Sequence, residues 1–124
     1  MFITIAQHLF NFIIAAILCC LFHEGSHFLM AKLFGETIYF EFYIGYLFNV
    51  IPIPRGIWEM PIKFSSFEKK VVAAAGFSGE FLFFIPIYLL LSNFAMYYII
   101  TAIVHILAYS FYAGDASDFQ WFKS

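Results

Sequence analysis

Three long apolar stretches dominate the pattern of hydrophobic and polar positions along this chain. They cover residues 2–34, 69–91 and 94–113. A helix needs about 20 mainly apolar residues to cross the hydrocarbon core of a bilayer, so each stretch predicts a transmembrane helix. Gly35 is a typical C-terminal stop for the first helix. Pro86 predicts a kink in the second, and Ser92 with Asn93 predicts a short turn before the third.

Residues 36–68 interrupt this pattern with aromatic and β-branched runs. The segment TIYFEFYIGY, residues 37–46, alternates as a strand does, whereas Pro52, Pro54 and Pro61 argue against a continuing helix. We therefore expect a hairpin or small sheet at the membrane surface. Irregular backbone at membrane depth is tolerated only where protein covers it or where it lines a water-filled cavity, so a polar cavity is expected nearby.

The composition agrees with a single integral-membrane domain over residues 1–124. Hydrophobic residues make up 64% of the chain and charged residues 11%, and a soluble domain of this size would need more polar surface. The net charge is only −2 and the basic residues are scattered, so nothing indicates nucleic acid as a partner. No secretory signal is evident at the N-terminus. The predicted fold class is an all-α membrane protein: three transmembrane helices with a β-rich loop between the first and second.

The basic residues predict the orientation of the three spans. Five lie at or between the ends of the first and second spans, and the sixth lies near the C-terminus: Lys32, Arg55, Lys63, Lys69, Lys70 and Lys123. With three spans, all six fall on one side, which the positive-inside rule assigns to the cytoplasm. The N-terminus is therefore expected outside and the C-terminus in the cytoplasm.

Three ionisable side chains lie close together in the first apolar stretch, in the segment LFHEGSHFLMAKLFG, residues 21–35. His23 and His27 are four residues apart and share one helix face, so both imidazoles can bind one metal ion. Glu24 can reach a water on that ion. This is the HExxH pattern of two zinc ligands and a general base. Zinc lowers the pKa of its bound water to roughly 7 and polarises the scissile carbonyl, and Glu24 would carry the proton to the leaving amine.

The membrane context makes this short pattern more specific. A bare HExxH arises by chance on soluble helices, but ionisable residues inside a membrane span are costly and functional by default. The alternative is that the helix emerges into water at His23 and that the three residues are interfacial. The apolar pattern continues beyond the histidines and argues against that alternative, at Phe28, Leu29, Met30, Leu33 and Phe34.

Catalytic zinc usually takes three protein ligands and keeps one position for water, so a third ligand is required. The candidates are Asp115 and Asp118 after the third span, Glu80 in the second, His105 in the third and Cys20 on the histidine face. A thiolate would favour a closed structural site, which places Cys20 last. Cys19 and Cys20 are otherwise interpreted as apolar filling.

At these residues the sequence resembles the site-2 protease family of intramembrane zinc metalloproteases, in a minimal three-helix core form. FHEGSHFLMAKLFG is similar to the family's HExxH helix, and FYIGYLFNVIPIPRG to the β-rich loop that follows it. AAAGFSGEF, residues 73–81, is similar to the family's AGPxxN stretch, and GDASDF stands where the family carries an Asp-containing motif. HExxH is the specific match, and the four together cover most of the chain in the expected order.

The resemblance implies one zinc ion per chain, bound by His23, His27 and an aspartate after the third span, with Glu24 as the general base. Asp118, within Ser-Asp-Phe, fits the family's small-residue–Asp pattern better than Asp115, which remains the runner-up. Glu80 stands where the family has an asparagine.

Several roles are open for Glu80. It could line the site or contact substrate, bind the metal, donate a hydrogen bond as a protonated acid, signal altered activity or reach back toward the membrane surface. His105 is expected to be a hydrogen-bonding partner in helix packing. Ala75 and Gly79, four residues apart, offer a close-packing face on the second span.

The resemblance implies an intramembrane zinc-dependent endopeptidase that hydrolyses a peptide bond within or next to a substrate transmembrane helix, as in regulated intramembrane proteolysis. Its partners would be the substrate's membrane segment and the bilayer. Regulation would then come from self-association or a partner subunit. The alternative is a non-proteolytic membrane subunit with a structural metal site, or with an ion- or proton-relay role for Glu80 and His105. A di-iron carboxylate bundle is less favoured because it needs a second Glu-x-x-His.

Overall fold

The computed structural model of the protein describes residues 2–47 and 49–111 and is mostly helical. In chain order the elements are α1 (Phe2–Leu33), β1 (Glu41–Leu47), β2 (Ile51–Ile57), α2 (Ser66–Leu82), α3 (Phe84–Leu90) and α4 (Ser92–Phe111). Two helical stretches are long and apolar enough to cross a membrane, Thr4–Leu33 and Ser66–Leu90, the second counted across the junction of α2 and α3. The apolar stretch of α4, Ser92–Ala108, is shorter.

The end of α1 is fixed by a glycine cap. Gly35 has a φ of 90°, a left-handed conformation that glycine adopts without a steric penalty. The Gly35 amide donates to the carbonyl of Lys32 and the Glu36 amide donates to the carbonyl of Ala31, each at 3.0 Å. This pair of bonds is the Schellman motif, and it confirms the helix stop predicted at Gly35.

The start of α2 differs from the sequence-based expectation. We predicted a helical span from residue 69, whereas α2 begins at Ser66. The reason is a capping box. The Ser65 hydroxyl accepts from the Glu68 amide and the Glu68 carboxylate accepts from the Ser65 amide, both at 3.2 Å. The reciprocal bonds satisfy two amides that the first helical turn would leave without partners.

The second helical stretch is interrupted at Phe83, between α2 and α3. Pro86 lies in the first turn of α3 and has no amide hydrogen to donate to the carbonyl of Leu82, so the regular hydrogen-bond ladder cannot continue. The kink predicted from Pro86 is this interruption. Backbone hydrogen bonds continue on both sides of the interruption: the Phe83 amide donates to the carbonyl of Gly79 at 2.9 Å, and the Ile87 amide donates to the carbonyl of Phe83 at 3.3 Å.

The break between α3 and α4 lies at Leu91 rather than at Ser92 and Asn93. Leu91 has a φ of −136° and a ψ of 59°, outside the helical region. Its carbonyl accepts from the amides of Phe94 and Ala95, so α4 already begins at Ser92. Serine and asparagine suit the start of a helix, which is why the turn predicted at these two residues is the first turn of α4 instead.

Between α1 and α2 the chain forms a two-stranded antiparallel hairpin. Glu41 pairs with Ile57 at one end and Leu47 with Ile51 at the other. Pro52 and Pro54 lie in β2, which is compatible with a strand that has only one neighbour. β2 contacts α1, so the hairpin lies against the helix that carries the HExxH residues.

Two apolar clusters hold the helices together on either side of the histidines. The first joins the C-terminal part of α1 to the hairpin region and the start of α2: Ala31, Ile38, Met60, Phe64, Val72 and Ala73. The second joins the middle of α1 to α3 and α4: Cys19, Ile87, Ala95, Tyr98 and Ala102. Along α1, His23 and His27 lie between Cys19 of the second cluster and Ala31 of the first.

Small residues let α1 and α2 approach closely at this level. A Cβ atom added at Gly79 would overlap the Ser26 side chain. The Ser26 hydroxyl itself donates to the carbonyl of Phe22 at 2.6 Å and so leaves no donor unsatisfied at the crossing. Gly79 therefore belongs to a close-packing face of α2, as predicted, and it brings the backbone of α2 up to the histidine face of α1.

Candidate metal centre

His23 and His27 face each other within the helix packing. Their side chains are buried, with exposed fractions of 1% and 0%. The two Nε2 atoms lie 3.0 Å apart. Two ligands of one tetrahedral zinc ion, each about 2.0–2.1 Å from the metal, would have nitrogens roughly 3.3 Å apart. The observed separation is close to that value and requires little adjustment.

The Nδ1 atom of His27 donates to a backbone carbonyl. It lies 2.7 Å from the carbonyl oxygen of Val72 in α2, and a carbonyl oxygen can only accept. The Nδ1 atom therefore carries the hydrogen, and in the neutral ring the Nε2 atom presents a lone pair. A metal-binding histidine normally donates its other ring N–H in this way, which fixes both the tautomer and the ring orientation.

His23 is held in the same manner by a carboxylate. Its Nδ1 atom lies 3.1 Å from Oε2 of Glu80 on α2. A carboxylate accepts this hydrogen bond, so the Nε2 atom of His23 also presents a lone pair, toward His27. Two facing lone pairs repel unless a cation lies between them. A shared cation, either a proton or a metal ion, satisfies the arrangement.

Gly76 of α2 packs closely against both imidazoles. A Cβ atom added at Gly76 would lie 2.7 Å from Nε2 of His23 and nearer still to Nε2 of His27. The backbone of α2 therefore packs directly on the Nε2 side of both rings, and a side chain at position 76 would have to displace them. Two imidazoles whose Nδ1 atoms are engaged elsewhere and whose Nε2 atoms face each other are a donor set that fits zinc.

The substitution Gly76→Ala should therefore remove most of the bound zinc. The new methyl group would lie closer to both Nε2 atoms than nonbonded carbon and nitrogen approach, while alanine improves the intrinsic helix propensity at this position. Zinc content per chain of the purified protein measures the effect. Gly25→Ala on α1 is the matched control, because an added Cβ there meets nothing within 4 Å. Equal zinc content in the two variants would contradict this assignment.

Glu24 completes the buried HExxH segment. It directly follows His23 on α1, and only 5% of its surface is exposed. All three HExxH residues are therefore covered by the rest of the protein. Aromatic rings pack against both histidines. The centroid of the Phe77 ring lies 4.4 Å from that of His23 in an edge-on arrangement, and the centroids of the Trp58 and His27 rings are 4.7 Å apart.

Glu80 and His105 form a second polar pair behind His23. Glu80 has no exposed surface, and His105 of α4 donates from Nδ1 to Oε1 at 2.8 Å and to Oε2 at 3.0 Å. The suggestion that Glu80 reaches back toward the membrane surface is therefore wrong. The packing hydrogen bond predicted for His105 is confirmed. Glu80 meets His23 at Nδ1, on the edge of the ring away from the His27 contact.

Other candidate ligands are placed differently. Asp118 and Asp115 lie outside the described residues. Cys19 and Cys20 are buried free thiols, and the Cys19 thiol donates to the carbonyl of Tyr98 at 3.8 Å. Among residues 2–47 and 49–111, His23, Glu80 and His105 form a group whose ligand atoms lie within 4.8 Å of one another. Cys20 does not belong to that group.

Comparisons of the chain with protein-family models, with curated proteins and with solved structures found no match. The functional assignment therefore depends on the residues themselves. Sequence reasoning singled out the HExxH residues but missed the contributions of Val72 and Gly76. For Gly76 the local signal was a glycine within an apolar helix. For Val72 the sequence carries no local signal, because its backbone carbonyl makes the contact.

Proposed function

We propose that the chain is an intramembrane zinc-dependent endopeptidase of the type the sequence resembles. One zinc ion would be bound by His23 and His27, with Asp118 as the predicted third ligand and Asp115 as its alternative. The observation that carries the proposal is the pair of Nε2 atoms, 3.0 Å apart, with each opposite Nδ1 already engaged. This geometry lets both imidazoles bind one ion through Nε2 without a change of tautomer.

The membrane location is supported by the apolar surface. Large apolar side chains are exposed along α1, and they include Leu9, Phe10, Ile13 and Leu21. Contiguous exposed apolar surface of this extent is rare in soluble monomers and suits contact with lipid. His23 lies ten residues before Leu33, so the centre would lie about 15 Å from the end of α1, on the side that the basic residues assign to the cytoplasm.

Each residue of the centre would have a separate role in the reaction. Zinc, when bound, supplies a Lewis acid and an activated water. Glu24 would act as the general base, taking a proton from the attacking water and giving it to the leaving amine. Val72 and Glu80 keep the two imidazoles in the tautomer that presents Nε2. The surrounding aromatic rings, Phe77 and Trp58, limit access of bulk water.

The hairpin could present a substrate to the centre. A helical substrate must unwind first, because its internal hydrogen bonds shield the scissile carbonyl. Each strand of a two-stranded sheet keeps one edge without a neighbour in the described chain, and such an edge can pair with an extended segment. Trp58 directly follows β2 and contacts His27, so a segment paired along β2 would arrive next to the histidines.

A reconstitution experiment tests the activity. Vesicles that contain the purified chain and a single-span test substrate should accumulate cleaved product. A zinc chelator should stop the accumulation, and added zinc should restore it. Cleavage that continues unchanged with the chelator present would contradict a zinc endopeptidase.

The second candidate is a membrane subunit with a structural metal site, and the buried Glu80–His105 pair favours it by adding further ligand atoms near His23. Coordination separates the two functions. An ion with an exchangeable water supports the endopeptidase, whereas an ion closed by four protein ligands supports the subunit.

A further inference from the structure

A carboxylate and a third histidine lie behind His23, away from the space that faces His27. Glu80 is fully buried, and both of its carboxylate oxygens are engaged by imidazole nitrogens. Oε2 accepts from Nδ1 of His23 at 3.1 Å, and Nδ1 of His105 lies 2.8 and 3.0 Å from the two oxygens. These three residues come from α1, α2 and α4, so the group joins three helices.

We infer that Glu80 and His105 are positioning residues for the metal ligand His23. Glu80 fixes the tautomer and the ring plane of His23, and His105 fixes the carboxylate of Glu80. The inference rests on the proposed zinc site, because it concerns how strongly that site holds its ion. Neither residue touches the metal or the substrate in this account.

The physical reason lies in the difference between the two histidines. His27 donates to the carbonyl of Val72, a backbone group whose position is set by α2. His23 donates from Nδ1 to a side chain instead, and a glutamate side chain has several rotatable bonds. A second hydrogen bond from His105 removes that freedom. A carboxylate partner also increases the electron-donating strength of the imidazole toward a metal.

Contacts around Glu80 support a role that depends on exact placement. The Tyr98 hydroxyl donates to the backbone carbonyl of Glu80 at 2.5 Å, which ties this turn of α2 to α4. The neighbouring Gly79 packs directly on Ser26 of α1. The backbone that carries Glu80 is therefore held from both sides, and a carboxylate buried here is compensated by two imidazole donors.

The same three residues could instead bind an ion of their own, since their ligand atoms lie within 4.8 Å of one another. The separations between the paired atoms, 2.8 to 3.1 Å, are those of direct hydrogen bonds. We therefore argue for positioning, and direct coordination becomes an outcome of the test.

Zinc affinity of the full chain, measured by competition with a chelator, tests the inference. His105→Leu removes the donor and should weaken zinc binding about 10- to 100-fold, the usual effect of losing an outer-shell partner. His105→Asn places an amide nitrogen near the position of Nδ1 and should restore most of the affinity. His8→Leu is the matched control, because it removes another histidine hydrogen bond between α1 and α4, to the Tyr97 hydroxyl.

Glu80→Gln extends the test to the carboxylate. It keeps an acceptor for His23 but loses the charge, so its affinity should fall between those of the wild type and His105→Leu. Glu80→Gln is also nearly isosteric, so it keeps the inference testable if larger changes prevent folding. Thermal unfolding of the zinc-free variants is measured alongside: His105→Leu should unfold at a lower temperature than His105→Asn, because leucine leaves the buried carboxylate with one donor fewer.

Three results would overturn the inference. Wild-type zinc affinity in both His105→Leu and Glu80→Gln would show that the pair does not position His23. Loss of one of two bound ions in His105→Leu would make the pair ligands of a separate ion. Equal weakening in His8→Leu would make the effect one of helix packing. Absence of zinc from the wild type would overturn the proposed function as well, so the two failures are distinguishable.

Discussion

Replacing Glu24 by glutamine should abolish cleavage of a membrane-embedded substrate while leaving the zinc content at one ion per chain. Glutamine has nearly the same size and keeps a polar side chain in the buried HExxH segment, but it cannot accept a proton from water. General-base catalysis typically contributes about 10²- to 10⁴-fold to a rate, so product formation should fall by at least the lower value.

For Glu24→Gln, the amount of cleaved product and the zinc content must be measured on the same preparation. Cleavage of a single-span substrate in vesicles is followed by gel electrophoresis. The zinc content is then determined on the protein recovered from the same vesicles. Glu59→Gln is the matched control, because it makes the same change at an exposed acid outside the HExxH segment. Unchanged cleavage in Glu24→Gln would show that the reaction, if any, does not use this carboxylate.

Replacing His23 or His27 by alanine should lower bound zinc from one ion per chain to near zero. Each substitution removes one of the two Nε2 atoms that face each other at 3.0 Å, and the ligands left behind cannot hold the ion in competition with a chelator. The double variant should show no greater loss than either single variant, because the two histidines act as one site.

Zinc analysis of His8→Ala provides the comparison for these variants. His8 lies on the same helix and bonds to the Tyr97 hydroxyl, but it is 15 residues before His23 along α1, a distance of about 22 Å. His8→Ala should keep its zinc. Zinc retained at full stoichiometry in His23→Ala and His27→Ala would show that the ion binds elsewhere.

The helices and the HExxH face could be predicted from sequence because they depend on local patterns. The apolar run and Gly35 determine α1, and the four-residue spacing of His23 and His27 places both rings on one face. The start of α2 was also readable from Ser65 and Glu68, since a capping box is a local signal. The predicted start at residue 69 followed hydropathy alone and missed it.

The surroundings of the histidines could not be predicted, because they depend on how the helices pack. The carbonyl of Val72 reaches His27 only in the observed register of α2 against α1, and Gly79 on Ser26 sets that register. The pairing of Glu80 with His105 depends in turn on the position of α4. No spacing within one helix carries such information.

The third ligand remains a prediction. Asp118 and Asp115 both follow α4, so either could be delivered to the centre by the same helix, and the choice rests on the resemblance of Ser-Asp-Phe to the family pattern. The position of His105 on α4 is consistent with such delivery, because it shows that this helix already approaches His23 through Glu80.

The most direct test of the account is the zinc content and zinc coordination of the purified wild-type chain, determined by metal analysis and X-ray absorption at the zinc edge. We expect one ion per chain with two imidazole ligands, with the remaining ligands oxygen, and with no sulfur. A protein that binds no zinc after equilibration with it, or an ion bound by a cysteine thiolate, would contradict the assignment of His23 and His27 to a catalytic centre.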